Sequence, residues 1–150
     1  MINKIVKTIR QVNKNTILKD LAIDESNGRV KQMRAIEKIV KEAYKINPEV
    51  VYIDEKFKPL FHKSSIKGSY TSTKDMVIVY LNSNYKANLT TLCHELTHSY
   101  QHTYLTAKYN KSCKDLKEGR VSYKNAWHEV NAKQQASMMS DYYYSLRRAA

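Results

Sequence analysis

A chain of 150 residues and 17.5 kDa carries one core of moderate size, which excludes a two-domain enzyme. With 42% hydrophobic and 27% charged residues, three Gly and two Pro, it is too apolar and too poor in flexible residues to be disordered or collagen-like. Its 26 Lys and Arg against 14 Asp and Glu leave a net charge of +12, which favours encounters with acidic partners, although no run of five basic residues marks a nucleic-acid tract.

The first ten residues break every apolar pair with Lys, Asn or Arg, unlike a secretory leader, and no apolar run approaches the roughly 20 residues of a membrane span. A cytoplasmic protein with no membrane partner is expected. The excess of Lys, Asn, Ile and Tyr suits an AT-rich gene of a phage or low-GC bacterium. Cys93 and Cys113 lack CxxC partners and read as reduced thiols, Cys113 being expected exposed in a loop.

In chain order, Ile2, Ile5, Val6, Ile9, Val12 and Ile17 predict a helix between Ile2 and Leu21. After a turn at Asp24 to Gly28, Val30, Met33, Ile36, Ile39, Val40 and Ala43 predict a second helix that stops before Pro48. Val50 to Ile53 and Phe57 to His62 read as strands, Ser64 to Thr73 is polar, and Met76 to Leu81 is the strongest strand signal. Leu89, Leu92, Cys93, Leu96 and Tyr100 then predict a helix from Leu89 to about Thr106, capped by Asn88. A polar loop from Lys108 to Lys124 leads to a long helix from about Asn125 to Arg147. The plan is an α+β domain: helices over residues 1–47, then a core over 48–150 with a small mixed sheet of about three strands and two further helices.

His94-Glu95-Leu96-Thr97-His98 forms an HExxH pattern on a predicted helix. Histidines four apart stand one turn above each other, so both imidazoles reach one ion, while the carboxylate beside the first can act on water. Zinc (Zn2+, one ion) is the cofactor this spacing calls for, with Glu95 as general base. A catalytic zinc takes three protein ligands and keeps one position open. His102 continues the same helix, and three imidazoles at successive four-residue steps would spread over about 12 Å, too far for one ion. The metzincin pattern would require Gly and His where Gln101 and Tyr104 stand.

The last helix offers His128 and Glu129. Glu129, Ala132, Ala136, Met139, Tyr143 and Leu146 recur at steps of three and four, and Glu129 is the only charge on that stripe. A carboxylate there is costly unless paired or bound to metal, so Glu129 is the preferred third ligand. His128 falls about 100° away, on a mixed face expected at solvent or at an edge, and remains the alternative, as does an ion-paired structural Glu129.

These residues resemble the gluzincins, zinc peptidases with HExxH on one helix and a Glu on a later one, and particularly the small minigluzincin-like forms. The resemblance runs from about Val50 to the end, through HExxH with Gln101 three beyond and Glu129-Val130-Asn131-Ala132. It implies a zincin-like fold, zinc on His94, His98 and Glu129, and Glu95 as general base and proton shuttle. It also implies that an extended substrate pairs with an edge strand before the HExxH helix, expected at Val77, Ile78, Val79 and Tyr80. Lys133 departs from the Asp of the larger thermolysin-like members. The SprT-like metalloprotease domain, which digests proteins crosslinked to DNA, is a neighbouring resemblance that would make His128 the third ligand.

The expected activity is hydrolysis of a protein or peptide substrate, with Tyr123, His128 and Tyr142 to Tyr144 as candidate oxyanion donors. The alternative from another class is a non-catalytic module in which the +12 charge and the tyrosines bind nucleic acid or an acidic protein. The sequence leaves the oligomeric state open.

Overall fold

The computed structural model describes residues 20–60 and 65–149. Helix α1 spans Gly28–Tyr44 and strand β1 Glu49–Asp54, followed by a 3-10 segment at Glu55–Leu60. Strands β2 (Gly68–Thr71) and β3 (Met76–Leu81) come next, then helices α2 (Tyr85–Tyr104), α3 (Thr106–Lys117) and α4 (Trp127–Ala149). The architecture is α+β with a small mixed three-stranded sheet. The predicted first helix, Ile2 to Leu21, lies outside the described residues except for Asp20 and Leu21, which are helical.

Local chemistry explains the boundaries of α1. Asn27 caps its start by accepting from the Arg29 amide at 2.9 Å, and Lys45 ends it in the left-handed region at φ 53. Val30, Met33 and Val40 enter the same core as Tyr52, Val77, Val79, Leu89, Leu92 and Leu96. Glu37 also faces inward, and its carboxylate is satisfied by Arg34 at 2.6 Å, Lys41 at 2.8 Å and the Tyr52 hydroxyl at 2.9 Å.

The sheet order is β1-β3-β2, with β1 parallel and β2 antiparallel to β3. The strand expected at the edge is therefore central. Val77, Val79 and Leu81 face the helices, whereas Met76, Ile78 and Tyr80 pack with Val51, Ile53, Phe57 and Leu60. A strand apolar on both faces is buried on both, and its backbone is paired on both sides, so Val77 to Tyr80 offer no edge to a substrate.

Three further expectations are corrected. Phe57 to Leu60 is not a strand but lies in the 3-10 segment, where Asp54 accepts from the Lys56 amide at 3.1 Å and Pro59 removes a ladder donor. The polar stretch before β3 contains β2, short and half-buried, without the alternation that marks a strand. The segment expected as a loop from Lys108 holds α3, whose Tyr109 and Ser112 are buried and whose Cys113 is half-buried rather than exposed.

The cap of α2 is Asn84, which accepts from the Ala87 amide at 3.0 Å. Asn88 instead turns inward, where it accepts from the Asn82 amide at 3.1 Å and donates to the Asn82 carbonyl at 2.9 Å, tying α2 to the loop after β3. Helices α2 and α4 pack most extensively of all the elements, with Ala132 and Ala136 fully buried at the interface. The α4 stripe is buried through these alanines and half-buried at Met139 and Tyr143, but Leu146 is exposed because the core ends before it.

Candidate metal centre

Helix α2 presents His94 and His98 one turn apart, and their Nε2 atoms lie 3.2 Å from each other. From the first turn of α4, Glu129 places Oε2 3.0 Å from His94 Nε2 and Oε1 3.1 Å from His98 Nε2. Among the described residues these three form the cluster able to hold a metal ion. Glu129 is thus the third member of the candidate cluster, and His128 lies outside it.

The donor set and its spacing fit zinc. Two imidazoles and a carboxylate suit the ion, and tetrahedral bonds of about 2.0 to 2.1 Å would put neighbouring donor atoms about 3.3 Å apart. The observed separations of 3.0 to 3.2 Å are close to that edge. Gln101 sharpens the fit from the next turn of α2. Its Nε2 donates to the His128 carbonyl at 3.0 Å and to Asn131 Oδ1 at 2.8 Å, so its Oε1 is left to accept from His98 Nδ1–H at 2.9 Å. That fixes the proton on Nδ1 and turns the Nε2 lone pair toward the Glu129 carboxylate. Two acceptors opposed at 3.1 Å require a shared cation or proton between them.

The electrostatics follow from the same contacts. With a proton in that gap, burial works to raise the Glu129 pKa, but hydrogen bonds from His94 and His98 outweigh it and hold the carboxyl well below the usual range. Burial alone would lower the pKa of His98, yet the Glu129 hydrogen bond and the Glu95 charge raise it. Glu95 is buried beside the pair, and desolvation, assisted by the like charge of Glu129, pushes its pKa up. It stands apart from the donor cluster and lines the cleft.

That cleft measures about 760 Å³. Residues Ser65 to Tyr70 line it together with residues of α2 and with Tyr109, Tyr123 and His128. Gly68 sets how closely β2 and α2 approach: a Cβ there would lie 2.6 Å from Thr91 Cγ2, 2.9 Å from the Ile78 carbonyl and 3.2 Å from Glu95 Cγ. Asp75 fastens the β2–β3 turn to α2, accepting from Tyr70 and Ser99 hydroxyls at 2.8 Å each.

The remaining sequence candidates separate cleanly. Tyr123 lines the cleft, and partial burial beside the Glu129 carboxylate raises its phenol pKa. Tyr142, Tyr143 and Tyr144 are not among the residues lining the cleft. His102 lies 3.4 Å from the Tyr70 hydroxyl and outside the metal cluster. His128 is buried rather than at a solvent edge, because α3 covers it: Ser112 Oγ lies 2.7 Å from its Nδ1, and its ring packs edge-on against Tyr109. Desolvation lowers its pKa. Sequence reasoning missed Ser112 and Tyr109 altogether, although Tyr109, Ser112, Cys113 and Leu116 carry a helical spacing that could have found them.

No protein family, curated protein or solved structure gives a significant match to this chain. Among the described residues, no helix is long and apolar enough to cross a membrane.

Proposed function

We propose that this chain is a zinc-dependent metallopeptidase of the gluzincin type, built on a zincin-like fold. The observation that carries the reading is the convergence of His94, His98 and Glu129 from two helices, with the buried carboxyl of Glu95 beside them in an open cleft. A site that only stabilised the fold would have no use for a desolvated acid at that point.

Zinc held by the three residues would supply an acidified water and an electrophile for a carbonyl. The chain's own groups do the rest. Glu95, with its raised pKa, takes a proton from water in the cleft and returns it to the departing amine. Gln101 keeps His98 in the ligating tautomer. Among the described residues β2 pairs only with β3, so its second edge, along the cleft at Gly68 to Tyr70, is where an extended peptide would add as a strand. That role moves from the expected Val77 to Tyr80 to β2.

The test is elemental analysis of protein purified without added zinc, alongside hydrolysis of an unfolded protein substrate. The expected result is one zinc per chain, lost in Glu129→Ala and kept in His128→Ala, with proteolysis abolished in a metal-replete Glu95→Gln. A chain that takes up no metal even when incubated with zinc would overturn the reading. Metal loss in His128→Ala alone would transfer it to the SprT-like arrangement.

A further inference from the structure

Strand β2 determines more about an added peptide than the edge it offers. The Lys67 carbonyl accepts from the Tyr80 amide at 3.0 Å, so the antiparallel ladder with β3 runs one residue beyond the Gly68↔Val79 pair. Alternate residues of such a ladder turn their backbone groups to opposite edges, so Lys67 and Ser69 bond to β3 while Gly68 and Tyr70 turn theirs to the second edge. An added peptide therefore bonds to Gly68 and Tyr70.

Side chains alternate between the two faces of the sheet in the same way. A Cβ on Gly68 would meet Thr91 and Glu95 of α2, and its partner Val79 belongs to the helix-side core, so Gly68 lies on the helix face and Lys67 on the other. Lys67 is exposed and lines the cleft, and among the described residues it enters no ion pair. The two carboxylates of the lining, Glu95 and Glu129, are both at the candidate metal centre, and among the described residues Lys67 is the only Lys or Arg in that lining.

A peptide strand beside β2 meets these two faces at successive residues. The residue opposite Gly68 sends its side chain toward Glu95, where a second carboxylate is repelled. The residue opposite Lys67 sends its own away from α2 and beside the ammonium, since directly opposed Cβ atoms stand about 4.5 to 5.5 Å apart. Resting on the metallopeptidase reading and on peptide addition to β2, we propose that Lys67 selects Asp or Glu at this one substrate position. The substrates are then protein segments with a carboxylate within two residues of the cut, because Gly68 already adjoins the general base.

The test uses the full chain loaded with zinc. A mixed peptide library, its products sequenced by mass spectrometry, should show Asp and Glu enriched at a single position within two residues of the cut and depleted at the adjoining position that faces Glu95. Three peptides differing only in Glu, Gln or Lys at the enriched position should then give a kcat/KM at least about threefold higher for Glu than for Lys, a ratio that falls toward one in about 0.5 M salt. Lys67→Met should bring the ratio toward one and Lys67→Glu below one, each keeping its metal. Lys111→Glu, an equal charge change on the outer face of α3, should leave the ratio as in wild type. A wild type without acid preference, an unchanged ratio in both Lys67 variants, or an equal shift in Lys111→Glu would each overturn the role. A zinc-loaded wild type that cuts no library peptide removes the peptidase reading and this selectivity with it, whereas one that cuts without regard to charge removes the selectivity alone.

Discussion

Helices α2 and α3 follow one another with a single residue between them, yet they serve the site differently. Helix α2 carries its chemistry as a spacing: His94, His98 and Gln101 lie on neighbouring turns, and their relation is set by helix geometry before any tertiary contact forms. Helix α3 carries nothing that reads as chemistry. Its Tyr109 and Ser112 act only because α4 brings His128 against them, 16 residues from Ser112 in sequence. The two histidines and the glutamine that orients one of them can therefore be found along the chain, whereas the surroundings of His128 are found only across the fold.

The sharpest way to break this contrast is Glu129→Ala. Removing a donor should cost metal affinity more than the roughly 10- to 100-fold typical of an outer-shell partner, measured by competition with a chelator. The same chelator should lower the melting temperature of wild type and leave that of Glu129→Ala unmoved, because only a bound ion stabilises the folded state by mass action. Next in size is Gln101→Leu. It keeps all three donors but frees the His98 tautomer, so affinity should fall by about 10- to 100-fold. If it falls as far as in Glu129→Ala, Gln101 is holding the helices together rather than orienting one ring.

Gly68→Ala should cost about 1 to 3 kcal/mol in denaturant unfolding, since its Cβ would meet Thr91 Cγ2 at 2.6 Å and a backbone carbonyl at 2.9 Å. Adding Thr91→Ser removes the first clash and should recover part of that loss; no recovery would place the strain at the carbonyl. The smallest effect is expected on the outer face of α3. Lys111 pairs with Asp115 at 3.1 Å while exposed, so Lys111→Ala should change stability by less than about 1 kcal/mol and leave metal content alone.

What the sequence made legible follows the same division. The helical repeat predicted α1, α2 and α4, and the apolar stripe of α4 pointed Glu129 inward, because each signal lies within one element. Met76 to Leu81 was legible as a strand, and its unbroken apolar run already carried the mark of a central one; the resemblance to peptidases with an edge strand drew it to the wrong place. Strand β2 escaped because four residues with Gly and Ser show no alternation, and its existence depends on β3 and α2. His128 was misplaced for a plainer reason. A helical wheel reports one helix, and the burial of His128 comes from Ser112 on another and Gln101 on a third.

The missing side chain at Gly68 has a consequence for how this cleft can diversify. Where Gly68 meets α2, backbone and helix touch through a single absent methyl group, so a side chain there demands a smaller residue at Thr91 or a shift of the Ile78 carbonyl. Latitude is left to Ser65 to Lys67 and to Tyr123, where side chains are exposed or half-buried and free to change in size and charge. A change in the lining of this cleft thus costs more at Gly68 than at its exposed residues, where selectivity among its substrates would be set.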